Sequence, residues 1–154
     1  MVSLKEMNER LYKIIGVCLE VHKTMGPGYP VEFYRKALEF ELATKDFKFE
    51  VRKTLQIEYK DIVVGTVELD FLIDDSVVMM LRSADRLMDV EVQQILRILD
   101  MLKKPVGLLM NFGIAKIQYK RIMPNLHQRE IKREAQRPLG YRDIGKTREG
   151  NPIM

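Results

Sequence analysis

Tryptophan is absent from this 154-residue chain, cysteine occurs once (Cys18) and histidine twice (His22, His127). A lone cysteine excludes an internal disulfide framework and suits a reducing compartment. Two distant histidines and one cysteine also exclude the clustered ligand spacing of a zinc site. No apolar run approaches the roughly 20 residues that a membrane span requires. The opening Met1-Val-Ser-Leu-Lys-Glu lacks the pattern of a secretory leader. No glycine loop is built to cradle phosphate: Gly26-Pro27-Gly28 has neither the spacing nor the following Lys-Ser/Thr. Without tryptophan, and with its other aromatics mainly on apolar faces, the chain offers little for stacking on bases. These absences lead to the expectation of a cytoplasmic protein without membrane association.

What remains is an ordinary globular composition, 46% hydrophobic and 31% charged. The net charge of +4 is unevenly spread. Residues 124–154 hold seven Lys/Arg against four Asp/Glu, leaving +1 for residues 1–123. The body therefore has no bulk electrostatic attraction for nucleic acid, and the tail offers only weak phosphate contacts. Two segments are expected: a folded domain over 1–123 and a basic tail over 124–154, irregular or bound to a partner.

Leu11, Ile14, Ile15, Cys18, His22 and Met25 recur at helical spacing, and Gly26-Pro27-Gly28 ends that helix. A second helix is predicted from Pro30–Val31, where proline suits the first turn, through Leu42. Strands follow at 54–59, 67–73 and 77–82. Met88, Val92, Ile95, Leu96, Leu99 and Leu102 then mark a helix over 87–103, and strands at 106–112 and 116–122 close the order. An α-α-β-β-β-α-β-β succession predicts an α/β domain, a mixed sheet flanked by helices. Cys18 and His22 lie on the first helix's apolar stripe and read as core residues.

The segment from Asp70 to Arg82 carries the densest chemistry. An apolar run, the turn Asp74-Asp75-Ser76 and a second apolar run form a hairpin. Strand alternation points Met80 and Arg82 to one side of its second strand. Other landmarks are Leu19-Glu-Val-His-Lys-Thr-Met-Gly-Pro-Gly28, Tyr34 with Ala37-Leu38, Gln94 with Leu99, and Gly107-Leu-Leu-Met-Asn-Phe-Gly113 followed by Lys120-Arg-Ile122. Over about residues 8–123 this combination resembles the bacterial GxxExxY protein family, a branch of the PD-(D/E)xK nuclease superfamily with a restriction-endonuclease-like fold.

The resemblance implies that Asp70 falls on the family's first metal-binding aspartate. Met80 and Arg82 stand where the family carries Glu-x-Lys, and Gln94, with Gln93 beside it, stands on the glutamine that orients the site. The motif naming the family runs from Gly28 to Tyr34, and its glutamate falls on Val31. Glu32, one position on, is swung by about 100° around the helix.

Such a nuclease binds Mg²⁺ through hard oxygen ligands and polarises water for attack on phosphate. A methionine thioether is a soft, neutral and poor ligand for that ion. Arg82 keeps a charge that grips phosphate but does not readily deprotonate. Without metal, Asp70 and Arg82 are expected to form an internal ion pair. Five acids are candidates to refill the vacancy: Glu68 two residues before Asp70, Glu91 one turn before Gln94, Asp74 and Asp75 at the turn, and Glu20, which matches a family position on the first helix. The rival readings are an exposed strand acid for Glu68, a helix-flank charge for Glu91 and turn chemistry for Asp74 and Asp75. For Glu20, solvent exposure opposite the apolar stripe is the rival reading.

Three functions stay open. The first is a retired nuclease fold that binds nucleic acid, through Arg82, Lys120 and Arg121, or a protein partner, with no cofactor. The second is an active Mg²⁺-dependent nuclease with relocated acids. The third is a self-assembling subunit joined through a sheet edge, with Val77–Leu81 the apolar strand in question, or through the tail.

Overall fold

The computed structural model describes residues 3–124. The expected tail therefore lies, beyond Pro124, outside the described residues, as does His127. Helix α1 (Leu4–Met25) starts where the Ser3 hydroxyl accepts the Glu6 N–H at 3.1 Å and the Glu6 carboxylate accepts the Ser3 N–H at 2.9 Å. This reciprocal cap satisfies two donors that the first turn leaves unpaired. Bonding to Ser3 also holds the Glu6 carboxyl below its usual range. The helix stops at Gly26, whose φ of 84° is natural for glycine alone. Helix α2 (Val31–Thr44) opens directly after Pro30.

Strands β1 (Phe49–Tyr59), β2 (Ile62–Ile73) and β3 (Val77–Arg82) follow as a meander. Helix α3 (Asp89–Leu102) then crosses over to β4 (Val106–Asn111), and β5 (Gln118–Ile122) returns antiparallel. The sheet order is β1-β2-β3-β4-β5, with β3 and β4 parallel and the other neighbours antiparallel. Three helices on a mixed five-stranded sheet make the α/β, restriction-endonuclease-like arrangement that the resemblance implies. No helix among the described residues is long and apolar enough to cross a membrane.

Several expected boundaries move. β1 begins at Phe49 rather than at Thr54, and β2 at Ile62 rather than at Val67. β1 and β2 form a long two-stranded ribbon in which β1 alternates half-buried and exposed residues, while residues 62–66 at the start of β2 all face water and show no alternation. β2 spends one extra residue opposite the Ile57–Glu58 step, a bulge beside Gly65. Left-handed pairs at Lys60-Asp61 (φ 49° and 70°) and Asp74-Asp75 (φ 53° and 55°) turn the two hairpins tightly. Asp75 also accepts the Lys104 ammonium at 2.8 Å, which holds its carboxyl below the usual range. Val77–Leu81 is not an edge. It is fully buried at the centre of the sheet, between β2 and β4.

Alternation on β3 divides the core. Val78 and Met80 join Leu72, Leu109 and Ile122 in a cluster with Val92, Ile95, Ile98 and Leu99 of α3. Met79, between them, meets Cys18 of α1 with Sγ and Sδ 3.7 Å apart. Burial pushes the Cys18 thiol up to about 12, so it stays a neutral packing group. His22 is buried beside Phe112 and bonded to the Ile114 carbonyl oxygen at 2.9 Å, the satisfied core histidine of the sequence reading.

The end of β4 is fastened by one polar side chain. Fully buried Asn111 accepts the N–H groups of Ala84 and Gly113, each at 3.0 Å, and donates to the Ala84 carbonyl at 3.0 Å and the Gln118 side-chain oxygen at 3.2 Å. This draws the chain after β3 against Gly113, where an added Cβ would lie 2.3 Å from the Ala84 nitrogen. Backbone cannot yield there as a side chain would. A Gly113→Ala variant should lose about 3 kcal/mol of stability, the upper part of the overpacking range, as read by urea unfolding. A loss below about 0.5 kcal/mol, the level of an ordinary surface change, would refute the close approach.

Candidate functional site

A cleft of about 580 Å³ opens between α2, the β1–β2 ribbon, β3 and α3. Its walls are largely apolar: Val31 from α2, Ile57 and Val67 from the ribbon, Met80 from β3, and Ile95, Ile98 and Met101 from α3. Set among them are Arg35, Glu68, Asp70, Arg82, Gln94 and Arg97. Extending the β2–β3 register (Phe71 opposite Met79) by one step places Asp70 across from Met80. The two strand positions of the resemblance therefore do face one another, and Gln94 looks onto them from α3.

The Asp70 carboxylate is buried and occupied at both oxygens. Arg35 donates to Oδ1 from Nε at 3.1 Å and from Nη2 at 2.7 Å, and the Leu81 backbone N–H donates to Oδ2 at 2.8 Å. Arg82 does not pair with Asp70, contrary to the expectation from sequence. Its guanidinium binds Glu91 on α3 and donates to its own neighbour, the Leu81 carbonyl, at 2.8 Å. The reason is geometric. Arg35 reaches the carboxylate from α2, while Glu91, at the start of α3, lies within reach of Arg82. Glu91 also accepts the Met88 N–H at 2.8 Å, fixing it at the helix start.

Arg35 was missed in the sequence reading, although a signal for it exists. It lies four residues after Val31, so both project from one face of α2, and Val31 is where the resemblance would put the motif's glutamate. Both residues line the cleft. Glu32, the off-register acid, is exposed and does not line it.

The other candidate acids divide. Glu68 lines the cleft but is bonded to exposed Arg52 at 3.3 Å. Glu91 is committed to Arg82 rather than facing the Met80 position as a free ligand. Glu20 lies outside the cleft, half-exposed and 3.5 Å from Lys45. Lys120 and Arg121 are exposed on β5 and are not brought together with Arg82; as consecutive strand residues they point to opposite faces of the sheet. Arg97 of the cleft has no carboxylate partner among the described residues.

Tyr34, the last residue of the motif, serves the scaffold. It is fully buried and stacks on Phe112 at 4.5 Å between ring centroids. Its hydroxyl donates to the Gly26 carbonyl at 2.6 Å and accepts the Tyr29 N–H at 3.1 Å, pinning the loop that launches α2. Gly28, with φ of 87°, donates its N–H to the Phe112 carbonyl at 3.2 Å. Motif glycine and tyrosine thus set the position of α2, and hence of Arg35.

The profile of the PD-(D/E)XK nuclease superfamily matches residues 8–122. The chain belongs to this superfamily. No curated protein and no solved structure matches it. Nucleases of this superfamily typically work with Mg²⁺, and the cleft's residues do not fit that ion. Among the described residues no three His, Cys, Asp or Glu side chains come together as a metal-holding group. The one buried carboxylate among the described residues is balanced by a guanidinium, and the facing position is a thioether.

Removing one partner of a buried pair strands the other charge. Arg35→Ala should therefore cost about 3 kcal/mol, and Asp70→Asn in that background should recover part of the loss because the amide carries no charge. Urea unfolding of the two single variants and the double variant measures the coupling. Strictly additive losses would show that the pair contributes nothing as a pair.

Proposed function

We propose that this domain is a GxxExxY-type member of the superfamily that has lost phosphodiester hydrolysis and acts by binding. The observation carrying this reading is the Asp70 carboxylate, occupied by Arg35 and the Leu81 N–H and facing Met80. For a divalent cation to use it, the cation would have to displace a guanidinium that donates twice to one oxygen of a buried carboxylate, and find its second ligand in a neutral sulfur. Arg82, held by Glu91, stands in for no proton-transferring lysine.

The cleft's composition favours a protein ligand over nucleic acid. Two of its three arginines are neutralised internally, leaving Arg97 to meet phosphate, while the apolar walls suit a hydrophobic side chain of a partner. Nucleic acid held at Lys120 and Arg121 would be bound outside the cleft. A second reading, an active Mg²⁺ nuclease, draws on Glu68: it lines the cleft, and its pair with Arg52 is exposed and weak.

Calorimetric titration of Mg²⁺ and Mn²⁺, with cleavage assays on single- and double-stranded DNA and RNA, separates the two. The expected outcome is no saturable heat at millimolar metal and no cleavage beyond an Asp70→Ala control. Metal binding and cleavage that both disappear with Asp70→Ala, and with Glu68→Ala, would establish a rebuilt active site instead.

A further inference from the structure

β1 ends the sheet, and among the described residues no strand pairs with its outer edge. It runs for 11 residues, about twice the usual strand length. Among the described residues, no backbone hydrogen bond other than those to β2 involves residues 50–59. Charges on an edge ordinarily discourage pairing with another chain. Here their order makes the strand complementary to itself.

We infer that β1 is a self-association edge, pairing antiparallel with β1 of a second copy about a two-fold axis at Leu55. An antiparallel two-fold pair has its axis perpendicular to the sheet, so opposed residues share a face. With Leu55 against the partner's Leu55, Arg52 faces the partner's Glu58 and Glu50 faces the partner's Lys60. Thr54 faces the partner's Gln56, and Val51 faces the partner's Tyr59. Each ion pair occurs twice by symmetry. Glu50, Arg52, Thr54, Gln56, Glu58 and Lys60 are solvent-exposed in the single chain, and Lys53 is half-buried. Glu58 has no ion-pair partner within it among the described residues, and Lys60 rests over the Tyr59 ring. Arg52 and Glu50 hold exposed pairs, with Glu68 at 3.3 Å and Lys53 at 3.2 Å, of the weak kind that a second copy's charges can compete with.

The register is specific. Moving the axis to Thr54 sets Glu50 against the partner's Glu58, and moving it to Gln56 sets Arg52 against the partner's Lys60. Like charges directly opposed across strands are destabilising. The left-handed backbone at Arg52 (φ 54°) confines the regular ladder to Lys53–Ile57, with the ion pairs flanking it. Tyr59, exposed at the ribbon tip, gains an apolar neighbour in the partner's Val51.

The pairing also reaches the cleft. Ile57 lines the cleft, and the same register brings the partner's Lys53 opposite Ile57 on that face. A second copy thus supplies to the cleft's rim a cation that the single chain does not place there. The inference does not depend on whether the cleft is catalytic.

Sedimentation equilibrium of the full chain should give twice the 18.1 kDa chain mass at micromolar concentrations. Glu58→Arg opposes two arginines at both ends of the ladder and should weaken the dimer by about tenfold or more. Adding Arg52→Glu should restore it. Leu55→Cys should crosslink to itself under mild oxidation, since Cys18 is buried and stays silent, whereas Glu50→Cys should not. A monomer at 100 micromolar, a dimer indifferent to Glu58→Arg, a double variant that fails to re-associate, or equal crosslinking at both cysteine positions would each overturn the proposal. Circular dichroism of every variant separates lost pairing from lost folding.

Discussion

The pair between Arg35 and Asp70, in which two guanidinium donors converge on one carboxylate oxygen, is the interaction around which the cleft is arranged. It joins α2 to β2, and through the second carboxylate oxygen it engages the backbone of β3 at Leu81. A buried ion pair contributes little net stability relative to a well-packed apolar pair, yet removing either partner alone is costly. Such a pair therefore acts as a positional lock. Arg82 and Glu91 repeat the device across β3 and α3, so Asp70 and Arg82, on neighbouring strands of the cleft, are each neutralised from within the chain. In a metal-dependent nuclease the carboxylates at these positions would be balanced by the cation and the lysine left available to the reaction.

The Gly28–Tyr34 segment separates two roles that one motif carries. Gly28 and Tyr34 hold the α2 entry against Phe112; stacking in such aromatic pairs adds about 1 kcal/mol beyond burial, and the tyrosine hydroxyl satisfies two backbone groups. Val31 of the same segment lines the cleft, where its apolar side chain can neither ligate a hard cation nor move a proton. One turn later on the same face of α2, Arg35 holds Asp70.

Much of the architecture was legible in local pattern. The α1 stripe, proline-started α2, the hairpin at Asp74-Asp75 and the amphipathic α3 each rest on spacing and turn residues that act within a few positions, and the structure has them in that order. The early start of β2 was not legible, because residues 62–66 are all exposed and carry no alternation to read, whereas Phe49-Glu50-Val51-Arg52 of β1 does alternate, in sequence and in burial. Val77–Leu81 showed itself as apolar, but whether an apolar strand lies at the edge or the centre depends on the crossover that follows it. The choice of ion-pair partners was equally out of reach. Asp70 and Arg82 are close in sequence, whereas Arg35 reaches the site only through the packing of α2, so the nearer cation was the natural but incorrect partner.

The most direct test of the locked carboxylate is an amide spectrum of the isotopically labelled protein during titration with Mn²⁺, whose unpaired electrons broaden nearby resonances. The Leu81 amide donates to Asp70 and so reports on any ion reaching that carboxylate. Broadening at Leu81, Asp70 and Met80 no greater than at amides remote from the cleft is the result expected of an aspartate held by Arg35. Selective broadening at those three, at metal concentrations that leave remote amides sharp, would show that the cation displaces the guanidinium and that the site still binds metal.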